Sequence, residues 1–304
     1  MTNITKLTGL VAAVHTPFDD RGEVYFAVVE KQAAHLAKSG VQTVFICGST
    51  GESHSLTLDE RLRLNERWSE VTRGSSLKVV VHVGSNCLAD AKTLAAAAAR
   101  SGAIAVSALT PSYFKPKSID VLVDCCREIA SAAPELPFYF YDIPSMTGVH
   151  LSMPDFLQAA SERIPNLAGL KFTNSDLMSY QRCLQAQGGR FDVPWGVDEF
   201  LLAALSLGAR GAVGSSYNFA APIYLRVMDA FTRGELNDAR AWQFRSVQLI
   251  EVLARYGYMG AAKFVMRQLG VDVGAPRLPN ASLSMNEQSK LQSELEGLGF
   301  FDWL

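Results

Sequence analysis

FYFYDIPSMTGVHLSMPDFLQAASERIPNLAGLKF, residues 138–172, sets the pattern of the chain. Residues 138–141 and 167–172 are short apolar and aromatic runs, the composition of buried strands. Between them lie the breakers Pro144 and Gly148 and a helical pattern that opens near Pro154. Strand, helix and strand in this order make a βαβ unit with two parallel strands. The same unit is legible in both directions. Upstream, runs at 10–15, 43–47, 78–83 and 104–109 read as strands, each followed by a helical pattern: 24–38, after Leu58, 89–100 and 119–132. Downstream, a helix near 177–187 leads to a strand at 191–195, and a helix near 199–207 leads to one at 211–214. A last helix of the series starts at about Pro222. Eight βα units within about 235 residues fit a closed (β/α)8 TIM barrel better than an open doubly wound sheet.

From Glu235 the strand signal stops. Helical patterns near 237–256, 260–269 and 286–298 remain, with Pro276 and Pro279 in the loop between the last two. The expected organisation is a barrel over 1–234 and a C-terminal three-helix extension, 235–304, packed on it. The whole chain has 304 residues, 48% of them hydrophobic, enough to bury a barrel-sized core.

Composition excludes several classes of function. A formal net charge of -2, with scattered basic residues, marks no nucleic-acid or anionic-membrane partner. No apolar run approaches the roughly 18 residues of a membrane helix, and the apolar stretch 9–14 is too short for a secretory signal. A soluble, cytoplasmic protein is expected. The five cysteines are odd in number and lack a CxxC, which argues against a disulfide framework or a structural zinc site. His15, His35, His54, His82 and His150 show no metal-ligand spacing. No GxSxG elbow, GxGxxG fingerprint or Walker loop is present.

In a barrel of this kind the active site lies at the C-terminal ends of the strands, and the reactive-looking residues fall there. Ser49 and Thr50 follow the second strand in Gly48-Ser49-Thr50-Gly51-Glu52. Tyr113 follows the fourth, Tyr141 ends the fifth, and Lys171 lies on the sixth. Asp198 and Glu199 follow the seventh, and Ser215 the eighth. In Leu167-Ala168-Gly169-Leu170-Lys171-Phe172-Thr173, period-two alternation turns Leu170 and Phe172 to the helices and Lys171 into the barrel. A buried ammonium is costly unless paired or neutralised, and the neutral amine is the form that adds to ketones. The competing reading is a buried Lys–Glu pair. Tyr141, also inward-facing, could relay protons beside that amine or could simply be a packed tyrosine with a bonded hydroxyl. The Ser-Thr turn offers hydroxyls and backbone N–H groups that suit a carboxylate. Asp198 and Glu199 could touch substrate or cap the following helix. His54, near the Ser-Thr turn, could touch substrate, whereas His82 reads as a satisfied core histidine.

Taken together, Gly48-Ser49-Thr50-Gly51-Glu52, Tyr141-Asp142-Ile143-Pro144 with Gly148, and Gly169-Leu170-Lys171 resemble the dihydrodipicolinate synthase/N-acetylneuraminate lyase superfamily, over about residues 7–279. Trp195-Gly196-Val197-Asp198-Glu199 and Gly211-Ala212-Val213-Gly214-Ser215-Ser216-Tyr217-Asn218 are similar to the sialate lyase branch, as is 132–139. The resemblance implies a class I aldolase that reversibly cleaves N-acetylneuraminate to N-acetylmannosamine and pyruvate, with no metal or organic cofactor and in a homotetramer. It implies Lys171 as the Schiff-base lysine, Tyr141 as the proton relay, and Ser49 and Thr50 as the carboxylate site. Thr173, Gly196, Asp198, Glu199, Gly214 and Ser215 would line the sugar end, and Tyr113 matches a position that varies within the branch. Synthases usually carry an arginine after the Tyr-x-x-Pro, for a second carboxylate. Here Ser145-Met146-Thr147 stands there, which counts against lysine biosynthesis. Another 2-keto sugar acid as substrate, a non-catalytic keto-acid-binding paralogue and a metal-dependent barrel lyase are the alternatives.

Overall fold

A computed structural model describes residues 6–304. Seven parallel strands alternate with helices. They run β1 (Gly9–Ala13), α1 (Val28–Lys38), β2 (Thr43–Ile46), α2 (Leu58–Thr72), β3 (Lys78–His82), α3 (Leu88–Ser101), β4 (Ala105–Leu109), α4 (Ile119–Ala130) and β5 (Phe138–Asp142). The short α5 (Pro144–Thr147) and α6 (Met153–Ala160) precede β6 (Leu167–Phe172) and α7 (Leu177–Gln185), and α8 (Leu201–Leu207) precedes β7 (Gly211–Gly214) and α9 (Tyr217–Thr232). The hydrogen-bonded order is β6-β5-β4-β3-β2-β1-β7.

The segment expected as the seventh of eight strands, 191–195, is not a continuous strand. It makes isolated parallel bridges, Gly169↔Asp192 and Phe172↔Trp195 on one side and Trp195↔Ala212 on the other. These still close the sheet into a TIM-barrel-like ring. Leu170 N donates to Asp192 O at 3.1 Å and Phe172 N to Pro194 O at 3.0 Å, while Trp195 N donates to Gly211 O at 3.0 Å. The break follows from Pro194. Alternate residues of the segment turn their backbone groups to β6, so residue 194 stands where an N–H would bond the Leu170 carbonyl, and proline has none.

Alternation along the strands separates two cores. Val11, Phe45, Val80, Tyr139, Tyr141 and Val213 fill the barrel interior. Leu10, Val44, Ile46, Val81, Phe140 and Leu170 pack outward under the helices. At β6 the register skips: Phe138 pairs with Leu167 but Tyr139 with Gly169. Ala168, the extra residue, joins the interior cluster, so the simple alternation read for 167–173 holds only from Gly169 onward. Gly169 is required by contact, since a Cβ there would lie 1.7 Å from the carbonyl oxygen of Asp192. Beyond this bulge Lys171 pairs with Tyr141, both inward.

The helix read as starting near Pro222 begins at Tyr217, with non-helical angles at Ala220 (φ -133°, ψ 19°) and Pro222 inside it. Pro222 thus falls just after the break, where a missing N–H costs little. Three further helices follow, α10 (Leu236–Arg255), α11 (Tyr258–Gln268) and α12 (Met285–Leu298). α10 lies against α9 and against the 3-10 turn Asp198–Phe200, and α11 lies against α9 and α10. No helix among the described residues is long and apolar enough to cross a membrane.

Candidate active site

A cavity of about 890 Å³ opens at the C-terminal ends of the strands, within the size range of small-molecule sites. It is lined by the residues singled out from the sequence, Ser49, Thr50, Tyr141, Lys171, Thr173, Gly196, Asp198, Glu199, Gly214 and Ser215, but not by Tyr113 or His54. Tyr113 is 79% exposed and packs edge-on against Phe114 instead. The irregular loop after β4 carries it away from the cavity of its own chain. His54 lies in a separate depression beside Arg61, Asn86 and Asp90.

Lys171 is buried, 4% exposed, and its Nζ stands 3.9 Å from the centre of the Tyr141 ring and 4.5 Å from that of Phe45. Among the described residues it belongs to no ion pair; the sealed lysine–glutamate pair of this protein is Lys263 with Glu52. The competing reading of Lys171 as a paired core lysine is thereby removed. Tyr141 is held edge-on by Phe45 and His82, each with a ring-centre distance of 5.8 Å. His82 is the satisfied core histidine expected: Nδ1 lies 2.8 Å from Cys47 O, and Leu109 N donates to Nε2 at 3.3 Å. Burial, reinforced by the Arg61 charge, keeps that imidazole well below its usual range and so neutral.

The Tyr141 hydroxyl lies 3.3 Å from Ser49 Oγ. Ser49 and Thr50 sit on a tight turn in which Glu52 N donates to Ser49 O at 3.0 Å and Ser53 N to Gly48 O at 3.2 Å. Polar side chains of the opposite wall are held from behind. Asp198 is buried; its Oδ2 accepts from Ser216 N at 3.0 Å and Ser216 Oγ at 2.5 Å, and Oδ1 has no partner. Burial raises the carboxyl groups of Asp198 and Glu199 above the ordinary range, the neighbouring Asp198 charge adding to the effect on Glu199. Ser215 Oγ shares a hydrogen bond of 2.8 Å with Tyr258 OH. Thr173 Oγ1 is buried and unpartnered. Gly196 and Gly214 allow these groups to converge: a Cβ on the first would lie 2.1 Å from Thr173 Oγ1, and on the second 1.9 Å from Asp198 Oδ1. A larger residue at either position would have to displace the Thr173 or Asp198 side chain.

Part of the wall was not legible in the sequence. Ile250, Tyr258 and Met259 from α10 and α11, with Asn280 and Ala281 from the following loop, also line the cavity. Ser145 and Met146, where an arginine would mark a second carboxylate, face it too. No local pattern distinguishes a tail helix that merely covers the barrel from one that reaches its mouth; Pro276 and Pro279 marked only that a loop lies there. Among the described residues no group of three or more His, Cys, Asp and Glu side chains is placed to hold a metal ion.

Comparison with known proteins relates nearly the whole chain to one family. Residues 6–298 match the model of the dihydrodipicolinate synthetase family. N-acetylneuraminate lyase of Mus musculus is 38% identical over 299 residues, covering 97% of this chain and 93% of the mouse protein. Among solved structures, the N-acetylneuraminate lyase of Proteus mirabilis superposes with a TM-score of 0.94 at 40% identity, over 97% of this chain and 100% of that one. The sialic acid aldolase of Aliivibrio salmonicida does so with a TM-score of 0.94 at 42% identity, over 97% and 98%. With a ring of parallel strands, an inward lysine at its open end and matches of this extent, the chain belongs to the dihydrodipicolinate synthetase family.

Proposed function

We propose that this protein is a carbon–carbon lyase, a class I aldolase that reversibly cleaves N-acetylneuraminate to N-acetylmannosamine and pyruvate. The observation that carries the reading is the placement of Lys171: a buried amine without an ion-pair partner among the described residues, facing a cavity and flanked by the Tyr141 phenol. The similarity to sialate lyases along nearly the whole chain supports the choice of substrate.

In the proposed reaction Lys171 Nζ adds to C2 of the keto acid, and the carbinolamine loses water to give a protonated imine. Tyr141, beside both the amine and Ser49, carries protons into and out of that intermediate. The iminium draws the electron pair of the C3–C4 bond as the C4 hydroxyl gives up its proton, which releases the aldehyde sugar. The enamine left behind takes a proton at C3, and water then hydrolyses the imine to pyruvate and the free amine. Ser49 and Thr50 hold the carboxylate. Thr173, Gly196, Asp198, Glu199, Gly214 and Ser215 form the end that receives the polyol chain. Such a site selects strongly, because analogues lacking the hydroxyls leave buried polar groups unpaired. The family resemblance further supports a homotetramer in the cytoplasm, with 235–304 as a helical extension of a 1–234 barrel.

Pyruvate release from a panel of 2-keto sugar acids tests the assignment. N-acetylneuraminate should be cleaved, and aspartate semialdehyde should not condense with pyruvate. Glu199→Gln should weaken sialate turnover while leaving borohydride-trapped pyruvate on Lys171 nearly unchanged. Preference for aspartate semialdehyde or an unrelated short keto acid would refute the lyase reading while leaving the imine chemistry standing.

A further inference from the structure

Lys263 and Glu52 form the most deeply sealed ion pair among the described residues, with side chains 1% and 0% exposed and Nζ 2.8 Å from Oε1. Lys263 comes from the middle of α11. Glu52 closes the turn that carries Ser49 and Thr50. The directed hydrogen bonds of the ammonium go to backbone: to Thr16 O at 2.9 Å and, longer, to Ala275 O at 3.4 Å. Thr16 Oγ1 in turn donates to Gly51 O at 2.7 Å. The second oxygen of Glu52 accepts from Arg277 N at 2.8 Å and Asn280 Nδ2 at 3.4 Å. The Arg277 guanidinium reaches Gly22 O and Ser55 O, at 2.8 and 2.9 Å, and pairs with Glu60. The turn is thus tied to α11, to the loop after α11 and to the loop after β1.

None of these groups takes part in the imine chemistry, and a buried ion pair generally stabilises a fold no better than apolar residues of the same volume. The backbone it grips is unusual. Cys47 and Glu52, at either end of the turn, both have φ near +55°, a left-handed conformation disfavoured outside glycine. Such residues persist only where the surroundings over-determine them. Asn280 meets Glu52 and also lines the cavity, so the clamp reaches the cavity wall.

We propose that the Glu52–Lys263 pair is a positioning device that holds the Ser49-Thr50 turn in the shape that receives the substrate carboxylate, and that it makes α11 and the 275–280 loop part of the keto-acid site. The inference rests on the reading of Ser49 and Thr50 as the carboxylate site. A cradle fixed before the ligand arrives loses no ordering entropy on binding, whereas the amine at Lys171 is placed by β6 and does not depend on the clamp.

Reductive trapping on the full chain separates the two. Pyruvate and acetone both form an imine with a lysine, but only pyruvate has a carboxylate. Lys263→Met and Glu52→Gln should each lower the rate of pyruvate trapping on Lys171 about tenfold, the worth of a lost charge-assisted contact, with acetone trapping changed less than about twofold. The double variant Glu52→Gln/Lys263→Met strands no buried charge, so it should fold even where a single variant does not, and it should keep the low pyruvate-to-acetone ratio. Arg277→Met, nearer the surface, should lower the ratio by roughly threefold through the same loop. A double variant with the wild-type ratio, or pyruvate and acetone falling together in folded variants, overturns the proposal and leaves the pair a stabilising contact. A wild-type protein that traps both ketones without preferring pyruvate would instead refute the carboxylate site, and one that traps neither on Lys171 would refute the Schiff-base reading itself.

Discussion

Two lysines of this protein are buried to nearly the same degree, Lys171 at 4% and Lys263 at 2% exposure, and they are solvated by the protein in opposite ways. Lys263 is enclosed by a carboxylate, two backbone carbonyls and the Phe18 ring, with Nζ 4.3 Å from the ring centre. Burial pulls its ammonium below the usual lysine range, and Glu52 opposes that pull. Lys171 has two aromatic rings and a cavity. A lysine whose hydrogen-bonding capacity is already used is a structural tie. One that faces open space beside a phenol is free to react. Depth of burial does not separate them; the partners do.

The largest expected effect comes from removing the amine proposed to form the imine. Lys171→Met should lower cleavage by at least about 10⁴-fold, on the scale seen when an essential nucleophile is removed, and abolish borohydride trapping, while the thermal midpoint stays at or above that of the wild type. Retained trapping in this variant would place the imine elsewhere and end the contrast between the two lysines. Tyr141→Phe should lower kcat by ~10²–10⁴-fold with little change in KM, the range of a lost proton relay. A normal kcat would reassign the phenol to packing against Phe45 and His82.

The contrast is sharpened from the other side by stability. Lys263→Met leaves Glu52 buried and unpaired, a change that typically costs about 3–5 kcal/mol. Chemical denaturation should show that loss, and Glu52→Gln in the same chain should recover much of it. Equal destabilisation by Lys171→Met and Lys263→Met would mean that the two environments are not different in kind.

A smaller effect concerns a buried acid without a full set of partners. Asp142, one residue past Tyr141, is pushed up to about 7 by burial, partly offset by Asn174, and its Oδ2 has no partner. A raised folded-state value means that the folded chain keeps a proton the unfolded chain gives up. The stability contributed by this group is therefore full below about pH 4, falls as pH rises, and is gone by about pH 7. Asp142→Asn should remove that fall. The difference in melting temperature between variant and wild type should grow from pH 4 to pH 7 and then level off. His15 works in the opposite sense, since burial and then the Lys263 charge press it down to about 3, so its contribution is lost on acidification below its unfolded value near 6.5. Comparing variant with wild type cancels that background. A difference independent of pH would show that Asp142 stays ionised in the folded protein.

The order of strands and helices was determined by sequence alone, because apolar runs of strand length, breakers and helical periods are local and survive without context. So was the direction of Lys171: alternation beyond Gly169 leaves one face for Leu170 and Phe172 and the other for the amine. Three things were decided only by the tertiary structure. The barrel closes through isolated bridges at 192–195, because Pro194 removes a ladder donor and only the neighbouring strands show that pairing survives around it. Tyr113 leaves the cavity of its own chain, because where an irregular loop points is set by packing rather than by periodicity. Glu52 and Lys263 meet across 211 residues of chain, and with them the loop through Asn280 joins the site. Which charge finds which partner at that separation depends on how α11 lies over the barrel, and nothing in either local sequence records it. The motif Gly48-Ser49-Thr50-Gly51-Glu52 therefore stood out by itself, while the partner of its last residue became visible only when the far end of the chain was folded onto it.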